Sequence, residues 1–267
     1  MRLITAPNGV SFYRSDLIAF PHGFSTRLGG VSALPHTASL NLAFGRGDED
    51  TAVLANLARF TEAVGVSEEV ISLPQVHSAK VRTVGEADRG LGYQRKTDAV
   101  CDGYVSAAPN VTIGVKTADC VPILLADEKA GIVGALHAGW RGTVAGIARE
   151  GVARMIALGA DPTRIKAAIG PSIGVCCYTV GEDFCRAVAE SSCADLCLPY
   201  IRRQGDQPHA DLPAMNTAIL LSAGILPEHI DTAHLCTCCR TDLFYSHRAS
   251  HGVRGTMLSI IARPKGD

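Results

Sequence analysis

The sequence predicts a mixed α/β fold of the α+β type. A closely spaced series of β-type runs, rich in Val and Ile, occupies the middle of the chain, and helical patterns precede and follow it. Because these runs follow one another with turn-length connections, we expect antiparallel pairing between neighbours. The predicted architecture is a central sheet region with helices around it.

The individual elements follow from hydrophobic periodicity and turn residues. Between residues 143 and 159, apolar side chains recur at three- and four-residue steps, which forms a core-facing stripe on a helix bracketed by Gly142 and Gly159. In chain order we predict a strand at 17–26, a helix at 51–65, strands at 69–84, 98–106, 111–117, 120–127 and 131–137, the helix at 143–159, a strand at 164–170, a helix at 211–224, and strands at 229–237 and 257–264. The polar segments 85–99 and 205–213 are predicted to be long loops.

Composition limits the classes of function. The chain has 267 residues, 47% of them hydrophobic, which is enough for a large core, and we expect a single domain over residues 1–267. The 25 basic and 26 acidic residues nearly cancel and form no block of like charge, which argues against a nucleic-acid partner. The apolar runs are far shorter than the roughly 20 residues of a membrane-spanning helix, and the start of the chain lacks the apolar core of a secretion signal. We therefore expect a cytoplasmic protein without a membrane partner.

Ten cysteines are distributed along the chain. At this length and without a secretion signal, the count favours reduced thiols, most of them packing residues. The segment Cys236, Cys238, Cys239 contains a lone C-x-x-C. Without a second pair, this is weak evidence for zinc or redox chemistry, since free Cys is often a small buried hydrophobe.

The segment HAGWRGT, residues 137–143, follows an apolar run and contains the only Trp of the chain. Loops at strand ends often hold binding and catalytic groups, because a rigid sheet positions them. Cys120 stands at the start of the preceding β-type run. In an antiparallel hairpin the start of one strand lies beside the end of the next, so we expect Cys120 and His137 to be neighbours.

His77 completes a possible ligand set. It lies with Val76 and Val81 in a β-type run, and a strand beside the hairpin would present it at the same end of the sheet. Imidazole and thiolate suit Zn²⁺, and three protein ligands leave a fourth position open for water or substrate. His77, Cys120 and His137 are therefore one plausible zinc set.

The spacing alone leaves structural interpretations open. His77 would then be a strand histidine bonded to a carbonyl, Cys120 a core thiol, and His137 a loop residue bonded to Asp119 or to main chain. Trp140 would only pack. The neighbouring Arg141 would be either a solvated surface charge or an anion site at a helix entrance.

Nine segments, in order along the chain, together resemble the laccase-domain family. They are FSTRLGGVS (24–32), SLNLAF (39–44), GDED (47–50), LPQVHSAKV (73–81), TDAVCDGYVS (97–106), KTADCVPILL (116–125), HAGWRGTVAGI (137–147), IGPSIGVCCYTVG (169–181) and CTCCRTDLFYSHR (236–248). The family is also described as bacterial polyphenol oxidase, purine nucleoside phosphorylase and peptidoglycan editing factor. The resemblance implies a layered α-β-β-α arrangement, with central mixed sheets flanked by helices.

The resemblance also implies a chemistry. Members carry a mononuclear zinc site of His, Cys and His, which corresponds to His77, Cys120 and His137 as metal ligands and catalytic residues. The family's activities include phosphate-dependent cleavage of adenosine, inosine, guanosine and methylthioadenosine, and deamination of adenosine, so the expected partners are purine nucleosides and phosphate. Cationic or hydrogen-bonding groups would stabilise phosphate and the departing base. The predicted substrate-binding residues are Asn41, Arg46, Gln75 and Arg141.

Three other functions stay open. A thiol at Cys120 activated by His137 would make a cysteine-type amide hydrolase acting in peptidoglycan precursor editing. A polyphenol oxidase would use copper, but it needs several His-rich sites, and the nine scattered His include no H-x-H pair. In a non-enzymatic binding protein, the same motif residues would serve turns and caps.

Two positions depart from the family pattern. The chain has HGVRGTML at 251–258, where members commonly show Thr-Gly-Arg, so Arg254 is displaced and receives no role from the resemblance. Thr179 stands where an acidic residue is common, so no acid role is assigned to it.

Overall fold

The computed structural model describes residues 1–265, apart from the side chain of residue 204. The last two residues of the predicted 1–267 domain lie outside this part, and the one-domain organisation stays a prediction. The strands are β1 (Arg2–Thr5), β2 (Ser11–Arg14), β3 (His22–Ser25), β4 (Val81–Thr83), β5 (Gly103–Ser106), β6 (Thr112–Thr117), β7 (Val121–Asp127), β8 (Ile132–Ala138), β9 (Lys166–Ile169), β10 (Ile201–Gln204), β11 (Gln207–Ala210), β12 (Ile230–Thr232) and β13 (Met257–Ala262). The helices are α1 (Asp50–Val64), α2 (Trp140–Val144), α3 (Ile147–Ala157), α4 (Glu182–Ala189), α5 (Ala194–Cys197) and α6 (Leu212–Ser222), with 3₁₀ turns at Glu86–Asp88, Leu198–Tyr200 and Pro227–His229.

Two sheets and a small hairpin contain the strands. The first sheet has the order β1-β2-β3-β13-β6 and is antiparallel throughout. The second has the order β12-β9-β7-β8-β5-β4, with antiparallel pairs at its centre and parallel pairs, β12 with β9 and β4 with β5, at its edges. The predicted mixed α/β fold with antiparallel neighbours is confirmed.

The two sheets pack face to face between helices. Successive strand side chains point to opposite faces. Along β7, Leu124 and Ala126 therefore pack with Ile113 of the first sheet, while Ile123 and Leu125 pack with α3 and α6. On the far side of the first sheet, α1 covers β2 and β13. The layers run helix, sheet, sheet, helix, as the resemblance implies.

Three local predictions are wrong for reasons of backbone geometry. The helix predicted at 143–159 is two helices, α2 and α3, because Gly146 between them has a φ of 80°, in the left-handed region that suits glycine. The loop predicted at 205–213 contains β11, which returns from β10 through a tight turn at Gly205. The strand predicted at 69–84 is reduced to β4, because the chain turns at His77, whose φ of 61° lies in the left-handed region.

A helix that crosses a membrane needs roughly 20 apolar residues. The longest helix within residues 1–265 is α1, with 15, and none of the helices described there combines the required length and apolar character.

Candidate metal centre

The hairpin of β7 and β8 brings Cys120 and His137 together. Pro122 pairs with His137, so Cys120, which directly precedes β7, lies beside the end of β8. The turn at residues 128–131 sets this register, and it ends at Gly131 with a φ of 68°. The predicted hairpin pairing is confirmed.

His77 reaches the same place from a turn, and not from the strand that the sequence predicts. Its φ of 61° lies in the left-handed region, and its N–H donates to Oδ1 of Asp102 at 2.9 Å. Oδ2 of Asp102 accepts from the N–H of Val76 at 3.3 Å and from the N–H and hydroxyl of Ser78 at 2.8 and 2.7 Å. Asp102 directly precedes β5, the neighbour of β8, so one buried carboxylate holds the His77 turn next to the hairpin.

The three predicted ligands converge. One ligand atom from each of His77, Cys120 and His137 lies within 4.8 Å of the other two. In a tetrahedral zinc site with bonds of about 2.0–2.3 Å, such atoms lie about 3.3–3.8 Å apart, so small side-chain rotations suffice. Gly139 leaves the room they need, since a Cβ there would come within 2.7 Å of Cδ2 of His77 and 3.2 Å of Sγ of Cys120. The donor set and its packing fit a single metal ion.

Asp102 also orients His137. Nδ1 of His137 donates to Oδ1 of Asp102 at 2.8 Å, and the N–H of His137 donates to the Asp102 carbonyl at 2.7 Å. Because the carboxylate is an acceptor, this contact assigns the hydrogen to Nδ1 and leaves Nε2 as the ligand atom, as in other carboxylate-histidine-metal arrangements. Asp119, the partner considered from the sequence, instead accepts from Thr237 at 2.6 Å and from the N–H of Arg248 at 2.7 Å.

Charge pairing alters the acidity of the ligands. Burial opposes ionisation of the Cys120 thiol, but the imidazoles of His137 and His77 outweigh it and lower the pKa of Cys120 to about 6. Burial likewise opposes protonation of His137, but Cys120 and Asp102 raise the pKa of His137 to about 9. At neutral pH the metal-free pair is therefore a thiolate beside an imidazolium. A thiolate is both a metal ligand and a nucleophile.

The three ligands line a cavity of about 880 Å³. Its wall also carries the cationic side chains of Arg46, Lys116, Arg248 and Arg254. Burial, together with the charge of Arg46, lowers the pKa of Lys116 to about 8 and that of Arg254 to about 10. Nε of Arg254 is buried without a hydrogen-bond partner in the described part of the chain. This concentration of positive charge fits an anionic ligand.

Two of the predicted substrate-binding residues, Arg46 and Gln75, line the cavity. The amide of Gln75 is engaged at both ends by the backbone of Lys116, accepting at 2.7 Å and donating at 2.8 Å. Gln75 therefore holds the strand that carries Lys116.

The other two predicted substrate-binding residues have different surroundings. Asn41 is fully buried and braces two lining residues, donating to the carbonyl of Ala43 at 3.0 Å and accepting from the N–H of Thr256 at 3.0 Å. Arg141 is exposed, with its guanidinium 4.2 Å from the ring centroid of Trp140. A substrate-binding role for Asn41, Arg46, Gln75 and Arg141 stays a prediction.

The sequence analysis gave no role at this site to Arg248 and Arg254, and it missed four further residues. Asp102 orients the ligands, and Lys116, Phe44 and Tyr178 line the cavity. The sequence did contain a signal for Asp102 and Lys116, because each is a charged residue inside an apolar β-type run. Buried charges are rarely unpaired or without function. In the sequence, Phe44 and Tyr178 look like any core aromatic residue.

Comparisons with known proteins cover nearly the whole chain. The family model described as multi-copper polyphenol oxidoreductase laccase matches residues 21–264. A purine nucleoside phosphorylase of Deinococcus radiodurans is 39% identical, covering 98% of this chain and 96% of that protein. Adenosine deaminase RL5, from an unknown prokaryotic organism, is 36% identical, covering 84% of this chain and 87% of that protein. The crystal structure of YlmD from Geobacillus stearothermophilus matches with a TM-score of 0.89 at 35% identity, covering 98% of this chain and 99% of that chain.

The fold and the matches agree with the ordered motifs of the sequence. This protein is therefore an enzyme of the laccase-domain family, the family whose model is described as multi-copper polyphenol oxidoreductase laccase.

Proposed function

We propose that this enzyme is a zinc-dependent purine nucleoside phosphorylase, acting on adenosine, inosine, guanosine and methylthioadenosine, that also deaminates adenosine. One observation carries the proposal: the ligand set and the cationic side chains line the same cavity. The names of the relatives from Deinococcus radiodurans and of adenosine deaminase RL5 support it.

The donor set favours zinc over copper. Two imidazoles and one thiolate with an open fourth position suit a catalytic zinc ion. They also suit a blue-copper site, which adds a weak axial Met or Gln. Among the described residues that line the cavity there is no methionine, and both ends of the Gln75 amide are already bonded to Lys116. We therefore assign zinc at His77, Cys120 and His137.

Phosphorolysis joins a phosphate oxygen to C1′ of the ribose and breaks the bond from C1′ to the purine nitrogen. We assign the phosphate to Arg46, Lys116 and Arg254, whose charges repel one another until an anion binds. The buried Nε–H of Arg254 is a donor that an oxyanion would satisfy. The electron pair of the broken bond leaves with the purine nitrogen, which takes up the proton of hydrogen phosphate, so that atoms and charge balance. The fixed charges hold the phosphate oxygen beside C1′.

The nucleoside would occupy the remaining volume. Phe44 and Tyr178 offer aromatic surface for the purine, and 880 Å³ is large enough for a nucleoside and phosphate together. A zinc ion held by His77, Cys120 and His137 would supply Lewis-acid activation of a bound substrate group. Asp102 keeps His137 in the ligating tautomer throughout, because its carboxylate accepts the Nδ1 hydrogen.

A panel of the four nucleosides, incubated with and without phosphate and separated by chromatography, tests the proposal. We expect free base and ribose phosphate only when phosphate is present, and inosine from adenosine in either case. Zinc removal and the substitutions His77→Ala, Cys120→Ala and His137→Ala should each abolish both reactions. Unchanged turnover in all of these would exclude the metal from the mechanism.

A second function is favoured by one specific observation. The site also has the arrangement of a cysteine hydrolase, with a nucleophile, a base and a group that orients the base. The thiolate is that of Cys120, the imidazole is that of His137, and the orienting carboxylate is that of Asp102. Such an enzyme would cleave amide bonds of peptidoglycan precursors. Alkylation of Cys120 separates the two functions: protection by zinc supports a ligand, whereas amide hydrolysis by the zinc-free protein supports a nucleophile.

A further inference from the structure

A second group of thiols lies beside the cavity. The Sγ atoms of Cys176, Cys177, Cys236 and Cys239 all lie within 4.8 Å of one another. Sγ of Cys239 is 3.6 Å from that of Cys176 and 3.4 Å from that of Cys177. These separations far exceed the length of a disulfide bond, about 2.05 Å, and the four are free thiols. Four sulfurs bound to one zinc ion at about 2.3 Å would lie roughly 3.8 Å apart, close to the two measured separations of 3.4 and 3.6 Å and inside the 4.8 Å that bounds the others.

The second sheet explains why these segments meet. β9 and β12 are parallel neighbours, so the chain leaves both strands at the same edge. Beyond that edge the two loops stay paired: the N–H of Ser172 donates to the carbonyl of Leu235 at 3.2 Å, and the N–H of Thr237 donates to the carbonyl of Ser172 at 3.0 Å. Cys176 and Cys177 follow on one loop and the C-x-x-C segment on the other.

The surroundings of the thiols suit bound sulfur better than hydrophobic packing. Cys176 and Cys239 are exposed, so they bury little apolar surface. The N–H of Gly174 donates to Sγ of Cys236 at 3.2 Å, the type of backbone contact that stabilises a metal-bound thiolate. A Cβ at Gly174 would come within 3.3 Å of both Cys176 and Cys236, so glycine keeps the space open for the sulfurs.

We propose that Cys176, Cys177, Cys236 and Cys239 bind one zinc ion as a tetrathiolate, in addition to the metal ion at His77, Cys120 and His137. Each thiol releases its proton to solvent when its sulfur binds zinc. With four protein ligands the site has no open position, and it is therefore structural.

The tetrathiolate stabilises one wall of the cavity. The loop that carries Cys176 and Cys177 also carries Tyr178, which lines the cavity. The guanidinium of Arg248 donates to the carbonyls of Cys177 at 3.0 Å and Thr179 at 3.1 Å. A zinc ion that joins this loop to the C-x-x-C segment would hold Tyr178 and Arg248 in place.

Native mass spectrometry of the full chain, purified in zinc-containing medium, tests the proposal by counting metal ions. We expect two zinc ions in the wild type and one in Cys236→Ser. Cys238→Ser, which changes a thiol of the same turn outside the group of four, is the matched control and should keep two. The triple variant His77→Ala, Cys120→Ala, His137→Ala should keep one. Loss of all zinc from that variant, or equal zinc in Cys236→Ser and wild type, would overturn the proposal.

Thiol labelling tests the wild type alone and does not depend on a variant that folds. We expect the exposed Cys176 and Cys239 to resist maleimide in the zinc-loaded protein and to react at least about tenfold faster after chelation. Cys185, a partly exposed thiol on α4, is the internal control and should react equally in both states. Three results would contradict the proposal. They are equal labelling of Cys176 and Cys239 with and without chelator, a disulfide among the four cysteines in non-reducing peptide mapping, and bound iron in place of zinc.

Discussion

Substituting Gly139 by Ala should perturb the proposed metal centre without removing a candidate ligand. The backbone of Gly139 has φ −64° and ψ 166°, which any residue adopts, so alanine adds no backbone strain. Its Cβ would stand 2.7 Å from Cδ2 of His77, where ordinary contact begins at 3.4 Å. The His77 ring must therefore withdraw by the difference, about 0.7 Å, while Cys120 Sγ at 3.2 Å needs to shift only slightly.

The size of that displacement sets the expected loss of zinc affinity. Metal-ligand distances tolerate deviations of about 0.2 Å, so a shift of this size takes His77 out of bonding geometry. We expect zinc affinity to fall at least about 10- to 100-fold, the range for perturbed ligand support, which corresponds to about 1.4–2.7 kcal/mol. Because His77 is exposed, its ring can move towards solvent, and we expect the metal-free variant to unfold within about 0.5 kcal/mol of the wild type.

Competition with a chromophoric chelator measures the affinity, in a Cys236→Ser background that leaves only the site at His77, Cys120 and His137, and urea unfolding of the metal-free protein measures the stability. Gly85→Ala is the matched control, since Gly85 also lacks a positive φ and a Cβ there would meet no atom within 4 Å. Wild-type zinc affinity in Gly139→Ala would refute the reasoning. So would a variant whose stability falls by several kcal/mol while its zinc affinity is retained.

Three further predictions concern the same cavity. Asp102→Asn places an amide NH₂ opposite either the N–H donors of the His77 turn or Nδ1 of His137, where the carboxylate accepts hydrogen bonds. We expect zinc affinity to fall about 10- to 100-fold in chelator competition, and the free energy of unfolding in urea to fall by about 1–3 kcal/mol. Wild-type values in both assays would contradict the proposed orienting role. Since the pKa of Cys120 is lowered to about 6 and that of His137 is raised to about 9, zinc binding at His77, Cys120 and His137 between these pH values displaces one proton, and affinity should rise about tenfold per pH unit, less steeply above pH 9 and more steeply below pH 6. Calorimetry of Cys236→Ser, which removes a ligand of the proposed tetrathiolate, in buffers of different ionisation enthalpy should find one proton released per zinc ion at pH 7, and zero would show that the thiolate-imidazolium pair is absent. Arg254→Met removes a charged hydrogen-bond donor worth about 1.5–3 kcal/mol, so the KM for phosphate should rise roughly 10- to 100-fold while the rate of adenosine deamination changes little. An unchanged KM for phosphate would show that Arg254 does not bind it.

Much of the site could be predicted from local pattern. The β7–β8 hairpin follows from two apolar runs and a short turn, and that alone makes Cys120 and His137 neighbours. The central strands and the helices α1 and α6 likewise follow from periodicities of two and 3.6 residues. By contrast, β1, β2, β10, β11, α4 and α5 were not predicted, because they are short and their segments are more polar than those of equally short predicted strands such as β9.

The His77 turn shows where local pattern is insufficient. Val76 and Val81 indicate a strand, but the carboxylate of Asp102 binds three successive N–H groups of the turn and fixes a left-handed residue at His77. The energy of a buried carboxylate that gains several hydrogen bonds outweighs a weak β preference. Only the tertiary structure brings Asp102 there, since β4 and β5 pair across a long loop.

The sequence by itself determined the α+β class, the order of the main elements and the hairpin, and it predicted the three candidate metal ligands. Tertiary structure alone decided that His77 joins the hairpin from a turn, that Arg254 faces the cavity, and that the C-x-x-C segment meets a second pair of cysteines. The physical reason is the range of the interactions. Hydrophobic periodicity and turn chemistry act between residues close in sequence. These three juxtapositions depend instead on which strands lie side by side, and on which buried polar groups form hydrogen bonds between segments distant in sequence.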